Sequence, residues 1–98
     1  MSCVPPDLQD FLKALASETR QAILLLFVDG QERTVGQIAE QVKLGQSTAS
    51  EHLAILKRAG LLTARRQQKE VYYAPDGNRI RDLATQFNAL LLRCCPPK

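Results

Sequence analysis

The sequence has few of the residue types and motifs on which enzyme sites depend. Its 98 residues include one histidine and five glycines, and they form neither a glycine-rich phosphate loop nor a set of paired carboxylates. No combination of nucleophile, base and orienting group can therefore be assembled from it. We expect a protein that binds a partner and is not an enzyme.

Cysteines and long apolar runs are also scarce. The three cysteines are Cys3, Cys94 and Cys95, and an odd number in so small a chain does not fit a structural disulfide framework. The longest apolar run, residues 22–28, is far shorter than the roughly 20 residues that span a bilayer. The beginning, MSCVPPDLQD, has no basic segment typical of a secretion signal. We expect one domain over residues 1–98. We also expect the protein to lie in the cytoplasm, which keeps thiols reduced, and not in a membrane.

Charge is distributed unevenly along the chain. Residues 1–42 carry three basic and six acidic side chains, whereas residues 43–98 carry ten basic and four acidic ones. Five basic residues fall within thirteen positions: Lys57, Arg58, Arg65, Arg66 and Lys69. This local density favours a polyanionic partner, with an ordinary solvated basic face as the alternative.

Apolar spacing and capping residues predict five helices. The second is apolar on every side around residues 23–27, which is typical of a central buried helix, and the third begins with a capping-box spacing at Thr34 and Gln37. The predicted helices are residues 7–16, residues 18–28 after a Ser17 cap, a short helix from Val35, residues 46–59 after Gly45, and about fifteen residues after Asp76.

Two strands are predicted between the fourth and last helices. The segments LLTARRQ and EVYYAP flank a short turn at residues 67–70. The order of helix, tight turn, helix and hairpin indicates a winged helix-turn-helix, a mainly α fold with a small β-hairpin. In that fold the first helix braces the second, whose N-terminal residues enter the DNA major groove.

The candidate DNA-binding residues follow from this arrangement. Small polar side chains at the start of the fourth helix can approach base edges, and Gln46 is the best candidate because its amide can donate to and accept from adenine. Basic residues around the hairpin turn suit the DNA backbone or minor groove, and those late in the helix suit flanking phosphates. The full set is Gln46, Ser47, Thr48, Ser50, His52, Lys57, Arg58, Arg65, Arg66 and Lys69.

Structural explanations compete with several of these roles. Serines are common near helix N-termini, Thr48 can face partly inward, and the hairpin arginines can belong to a solvated strand face. A structural or solvated role also competes with a phosphate contact for His52.

The segments LKALASETRQAILLLF and TVGQIAEQVKLGQSTASEHLAILKRAGLLTARRQQKEVYY, with the final apolar helix, resemble the ArsR/SmtB family of bacterial metal- and metalloid-responsive repressors. The similarity covers roughly residues 8–93, and its most specific part, QSTASEHL, is close to the family pattern Gln-Ser-Thr-x-Ser-x-His-Leu. The resemblance implies a homodimer that binds operator DNA and releases it when an inducer binds. Three departures affect operator sequence and affinity: Gly45 replaces a frequent serine, Glu51 a frequent histidine, and the turn QQK lacks the usual glycine.

The last helix carries an apolar stripe that we expect to be buried against another helix. The stripe comprises Ile80, Leu83, Ala84, Phe87, Leu90 and Leu91. The first helix has a similar stripe, and both can pack on the central helix; the resemblance instead pairs them across a two-fold axis. Two recognition helices would then lie one DNA turn, roughly 34–36 Å, apart on an imperfect palindrome.

The cysteines are the candidate inducer site. Continuing the last helix at about 100° per residue places Cys94 and Cys95 on either side of the middle of the stripe, at the edge of the expected interface. The family's familiar sites, Cys-x-Cys in the third helix and Asp-x-His in the last, are absent. Cys3, Cys94 and Cys95 remain, and three thiolates suit trivalent arsenic or antimony, whereas zinc usually takes a fourth ligand.

Alternatives to this inducer site remain open. The thiols can form a redox or persulfide switch, although a disulfide between neighbours is strained. They can also be functionally inert, and a winged helix can mediate protein contacts without DNA. No permanent cofactor is expected.

Overall fold

The computed structural model describes residues 4–98, which form five α-helices and three strands in this part of the chain. Cys3 lies outside the described residues. The elements are α1 (Pro6–Leu15), α2 (Glu18–Leu25), a short 3-10 helix (Leu26–Asp29), β1 (Arg33–Thr34), α3 (Val35–Val42), α4 (Gln46–Arg58), β2 (Leu62–Gln67), β3 (Glu70–Pro75) and α5 (Gly77–Cys94).

Local side-chain chemistry sets several of the helix starts. The Ser17 hydroxyl accepts from the backbone N–H of Arg20 at 3.2 Å. Thr34 and Gln37 form the predicted capping box, with reciprocal distances of 3.2 and 2.9 Å. Gly45 occupies the N-cap of α4, as predicted, without a side chain to help. The beginnings of α2 and α3 therefore follow from satisfying otherwise unpaired backbone N–H groups.

One apolar core joins the helices to the sheet. The fully buried large residues come from all five α-helices and from the segment after α4; they are Leu8, Ile23, Ile38, Leu53, Leu56, Leu61 and Leu83. Because each helix contributes one face to this core, its opposite face remains available for other contacts.

The second helix differs from the prediction. The sequence predicts one buried helix to Val28, but α2 ends at Leu25 and continues as a 3-10 helix. Ile23 and Phe27 are buried, whereas Leu25 is 70% exposed and Val28 is 88% exposed. Residues four apart share a helix face, so Ile23 and Phe27 face the core together. Leu24 and Leu26 pack against the core partly buried.

The wing contains a third strand. The predicted hairpin of β2 and β3 is present, and β1 adds to β3 through the antiparallel pair Arg33 and Tyr73. The hairpin turns at residues 68–69, where Gln68 takes φ of 56° in place of the usual glycine. The fold is a mainly helical winged helix-turn-helix with a three-stranded antiparallel wing. Within residues 4–98, no helix has both the length and the hydropathy needed to cross a membrane.

Candidate nucleic-acid interface

The start of α4 presents a group of exposed polar side chains. Lys43 follows the last residue of α3 in a left-handed conformation, with φ of 59°, and α4 begins three residues later at Gln46. Ala49, Leu53 and Leu56 turn into the core. The same rotation exposes the predicted residues Gln46, Ser47, Thr48 and Ser50, so Thr48 does not face inward.

The wing turn lies next to this helix start. Gln46, Ser47 and Ser50 share an open cleft of roughly 490 Å³ with Lys69 and Glu70. Residues nineteen or more positions apart in the sequence are therefore neighbours on one surface. The arrangement places hydrogen-bonding groups that suit base edges beside a lysine that suits phosphate.

Arg65 is held by partners within the protein. Its guanidinium donates to both carboxylate oxygens of Glu32, at 2.8 and 2.6 Å, and to Gln67 Oε1 at 2.6 Å. It also stacks over Tyr72, 4.7 Å from the ring centroid. The hydrogen bond from Arg65 holds the pKa of Glu32 below its ordinary value, and Glu32 in turn raises the pKa of Arg65.

Arg66 and Lys69 have greater freedom than Arg65. Arg66 follows Arg65 along β2, so its side chain leaves the opposite face of the sheet. Both residues are exposed, and neither forms an ion pair within the part of the chain that the structure describes. They are the wing cations best able to contact phosphates.

The remaining basic candidates lie away from the helix start. Lys57 and Arg58 are exposed in the last turn of α4. At 1.5 Å per residue, Lys57 is roughly 16 Å along the helix from Gln46. They suit flanking phosphates and not the base edges that Gln46 can reach.

His52 faces the interior of the helical layer. It is half-buried, and its Nδ1 lies 3.3 Å from Nη1 of Arg20 in α2. This contact, like that between Glu32 and Arg65, has no local signature, because the partners are 32 and 33 positions apart in the sequence. Sequence patterns therefore missed both contacts.

The two C-terminal cysteines are close to each other and exposed. Their sulfur atoms are 3.0 Å apart, and Cys94 is the last residue of α5. The hydrogen bond with Cys95, together with partial desolvation, raises the pKa of the Cys94 thiol above its ordinary value. No group of three metal-binding side chains occurs among residues 4–98, and the third predicted ligand, Cys3, is not among them.

Comparisons with known proteins agree with this architecture. Residues 17–64, from the cap of α2 into β2, match the family described as bacterial regulatory protein, arsR family. The transcriptional activator HlyU of Vibrio cholerae is 37% identical over 79 residues, which cover 81% of this chain and 72% of that protein. A probable mercury resistance operon repressor of Streptomyces lividans is 34% identical over 100 residues, covering 95% and 79% respectively.

Solved structures extend the similarity to the fold. A solution structure of a homodimeric winged helix-turn-helix DNA-binding domain from Mycobacterium bovis, described as a possible ArsR-family regulator, has a TM-score of 0.71 and 28% identity. The aligned region covers 96% of this chain and 94% of that domain. Reduced HlyU has a TM-score of 0.66 and 32% identity, with coverage of 93% and 90%. The chain belongs to the arsR family of bacterial regulatory proteins, and it is a DNA-binding transcription regulator and not an enzyme.

Proposed function

We propose that this chain is a homodimeric repressor that binds an imperfectly palindromic operator and releases it when trivalent arsenic or antimony binds its cysteine thiolates. The observation that carries the DNA-binding part is the cleft in which Gln46, Ser47 and Ser50 meet Lys69 of the wing. Repression is the activity described for the Streptomyces lividans relative, whereas HlyU is described as an activator. The protein would act in the cytoplasm, where its thiols stay reduced.

The dimer rests on the outer surfaces of α1 and α5. Leu91 and Leu92 are 43% and 51% exposed near the end of α5, and a groove beside Leu90 is lined by Pro5 and Leu8. A second copy covering Leu91 and Leu92 would remove apolar surface from water. The Mycobacterium bovis domain is described as homodimeric, which supports a homodimer of this chain.

Selection of duplexes from a random library tests the DNA-binding part. We expect two inverted half-sites about 10 base pairs apart, because a two-fold dimer presents two recognition helices one DNA turn apart. Gln46→Ala should relax preference at one base pair in each half-site, by about 1–3 kcal/mol. The proposal is contradicted if the selection enriches no sequence. It is also contradicted if the selection enriches a single half-site and the protein sediments as a monomer.

The inducer site rests on the Cys94 and Cys95 pair. Two soft sulfur ligands 3.0 Å apart favour a thiophilic ion, and Cys3 can supply a third thiolate. A redox switch is the second candidate, favoured by the same sulfur proximity. Against it, a disulfide between neighbouring residues is strained.

Calorimetric titration with arsenite distinguishes the possible ligand sets. We expect binding that is lost in Cys94→Ser and in Cys95→Ser. Loss in Cys3→Ser as well supports a three-sulfur site, whereas unchanged binding in that variant removes Cys3 from it. Zinc, cadmium and peroxide titrations serve as comparisons, and a protein that binds no arsenite while peroxide abolishes operator binding would support the redox candidate.

A further inference from the structure

Arg20 connects three helices through one side chain. It lies in the first turn of α2, where the Ser17 cap fixes its backbone N–H. Its Nε donates to the carbonyl oxygen of Ala14 at 2.7 Å, and its Nη2 donates to that of Lys13 at 3.2 Å. These carbonyls belong to the last turn of α1, where the helix dipole favours a cation.

The third contact of this guanidinium reaches the recognition helix. Nη1 of Arg20 lies 3.3 Å from Nδ1 of His52 in α4. Because a guanidinium only donates hydrogen bonds, Nδ1 must accept this one, and the ring proton of the neutral imidazole is then on Nε2. The contact assigns both the tautomer and the direction in which the ring faces.

The other contacts of α4 are mainly apolar. Ala49, Leu53 and Leu56 are fully buried, and the burial of apolar surface is a non-directional contribution. A hydrogen bond is directional, so the contact to His52 adds a restriction on the rotation of α4 about its axis. His52 lies two positions after Ser50 and six after Gln46, on the same rigid helix.

We infer that Arg20 is a positioning residue for DNA recognition, which acts through His52 to fix the rotation of α4 that presents Gln46 to a base edge. The inference rests on the proposed operator binding and adds residues that do not contact DNA bases themselves. Hydrogen bonds to bases require accurate placement of α4, whereas phosphate contacts tolerate small shifts. Loss of the contact therefore weakens operator binding more than binding to random DNA.

Two substitutions of similar shape at His52 isolate the hydrogen bond. His52→Asn keeps an acceptor near the position of Nδ1, whereas His52→Leu removes it. Anisotropy titrations measure affinity for the selected operator and for a random duplex of equal length, and thermal unfolding shows that each variant is folded. We expect His52→Leu to weaken operator binding about tenfold, and random-duplex binding less than about twofold. His52→Asn should stay within about threefold of wild type on both DNAs.

Arg20→Lys provides an independent variant if His52→Leu does not fold. Lysine keeps the charge but cannot bridge three acceptors with a planar fork. Arg20→Lys should reproduce the loss of operator preference. Where His52→Leu folds, adding it to Arg20→Lys should cause little further loss, because both substitutions remove the same interaction.

Distinct results overturn the inference. Unchanged operator binding by His52→Leu and Arg20→Lys would overturn it while leaving the proposed function intact. Equal loss on both DNAs, restored by His52→Gln but not by His52→Asn, would show that Nε2 contacts phosphate directly. Wild-type protein that selects no operator would overturn the inference together with the proposed function.

Discussion

The wing offers a quantitative prediction, because neighbouring arginines there have different partners. Arg65 is held by Glu32, whereas Arg66 and Lys69 are exposed without an ion pair among residues 4–98. We expect Arg66→Gln and Lys69→Gln each to remove one phosphate contact per half-site. Since a dimer carries two wings, each substitution should reduce the slope of log affinity against log salt by about 1.8.

The size of this change can be measured directly. Between 50 and 200 mM salt, a slope reduction of about 1.8 corresponds to about a twelvefold smaller loss of affinity. Anisotropy titrations across this range, on operator and on random duplex, give the slopes. Arg65→Gln is the matched control in the same strand and should change the slope little, whereas Glu32→Gln should release Arg65 and steepen the slope.

Two results would refute this account of the wing. If Arg65→Gln reduced the slope of log affinity against log salt as much as Arg66→Gln does, DNA would have to displace Glu32 from Arg65. Unchanged slopes in Arg66→Gln and Lys69→Gln would show that the wing does not contact phosphates. In either case it would be wrong that Arg66 and Lys69 contact phosphates while Arg65 stays paired with Glu32.

Three further predictions concern stability, each measured by chemical denaturation at fixed protein concentration. Leu53→Ala removes a fully buried side chain and should lower the free energy of unfolding by about 2–5 kcal/mol, whereas Leu25→Ala, at 70% exposure, should change it by less than about 0.5 kcal/mol. Gln68→Gly should raise it by roughly 0.5 kcal/mol, because Gln68 has φ of 56°. The hydrogen bond from Arg33 lowers the pKa of Asp29 from 3.8 to about 2, so its stabilisation is present above pH 3.8 and is lost as the pH falls to about 2. In Asp29→Asn, the free energy of unfolding should therefore fall less between pH 3.8 and about 2 than in the wild type. An unchanged dependence on pH would contradict this assignment.

Local patterns in the sequence predicted the helix starts and the exposed polar side chains at the beginning of α4. The Ser17 cap, the capping box at Thr34 and Gln37, and the entry at Gly45 depend on residues within a few positions of each other. Such signals need no knowledge of distant contacts. The exposed set beginning at Gln46 follows from the same helical periodicity that buries Leu53.

Features that depend on packing were beyond these patterns. The run from Ile23 to Phe27 is apolar throughout, so periodicity could not identify which side faces the core. The strand β1 has only two residues and exists through its pairing with β3. The contacts of Arg20 with His52 and of Glu32 with Arg65 join positions that are distant in the sequence, so local patterns carry no signal of them.

The most direct test of the proposed switch is an arsenite titration of the operator-bound protein, followed by anisotropy of the labelled operator. Wild-type protein is predicted to release the DNA, and the double variant Cys94→Ser, Cys95→Ser is predicted to bind the operator normally and remain bound. Release of the double variant at the same arsenite concentration, or full retention of DNA by wild-type protein, would contradict the claim that these two thiols form the inducer site.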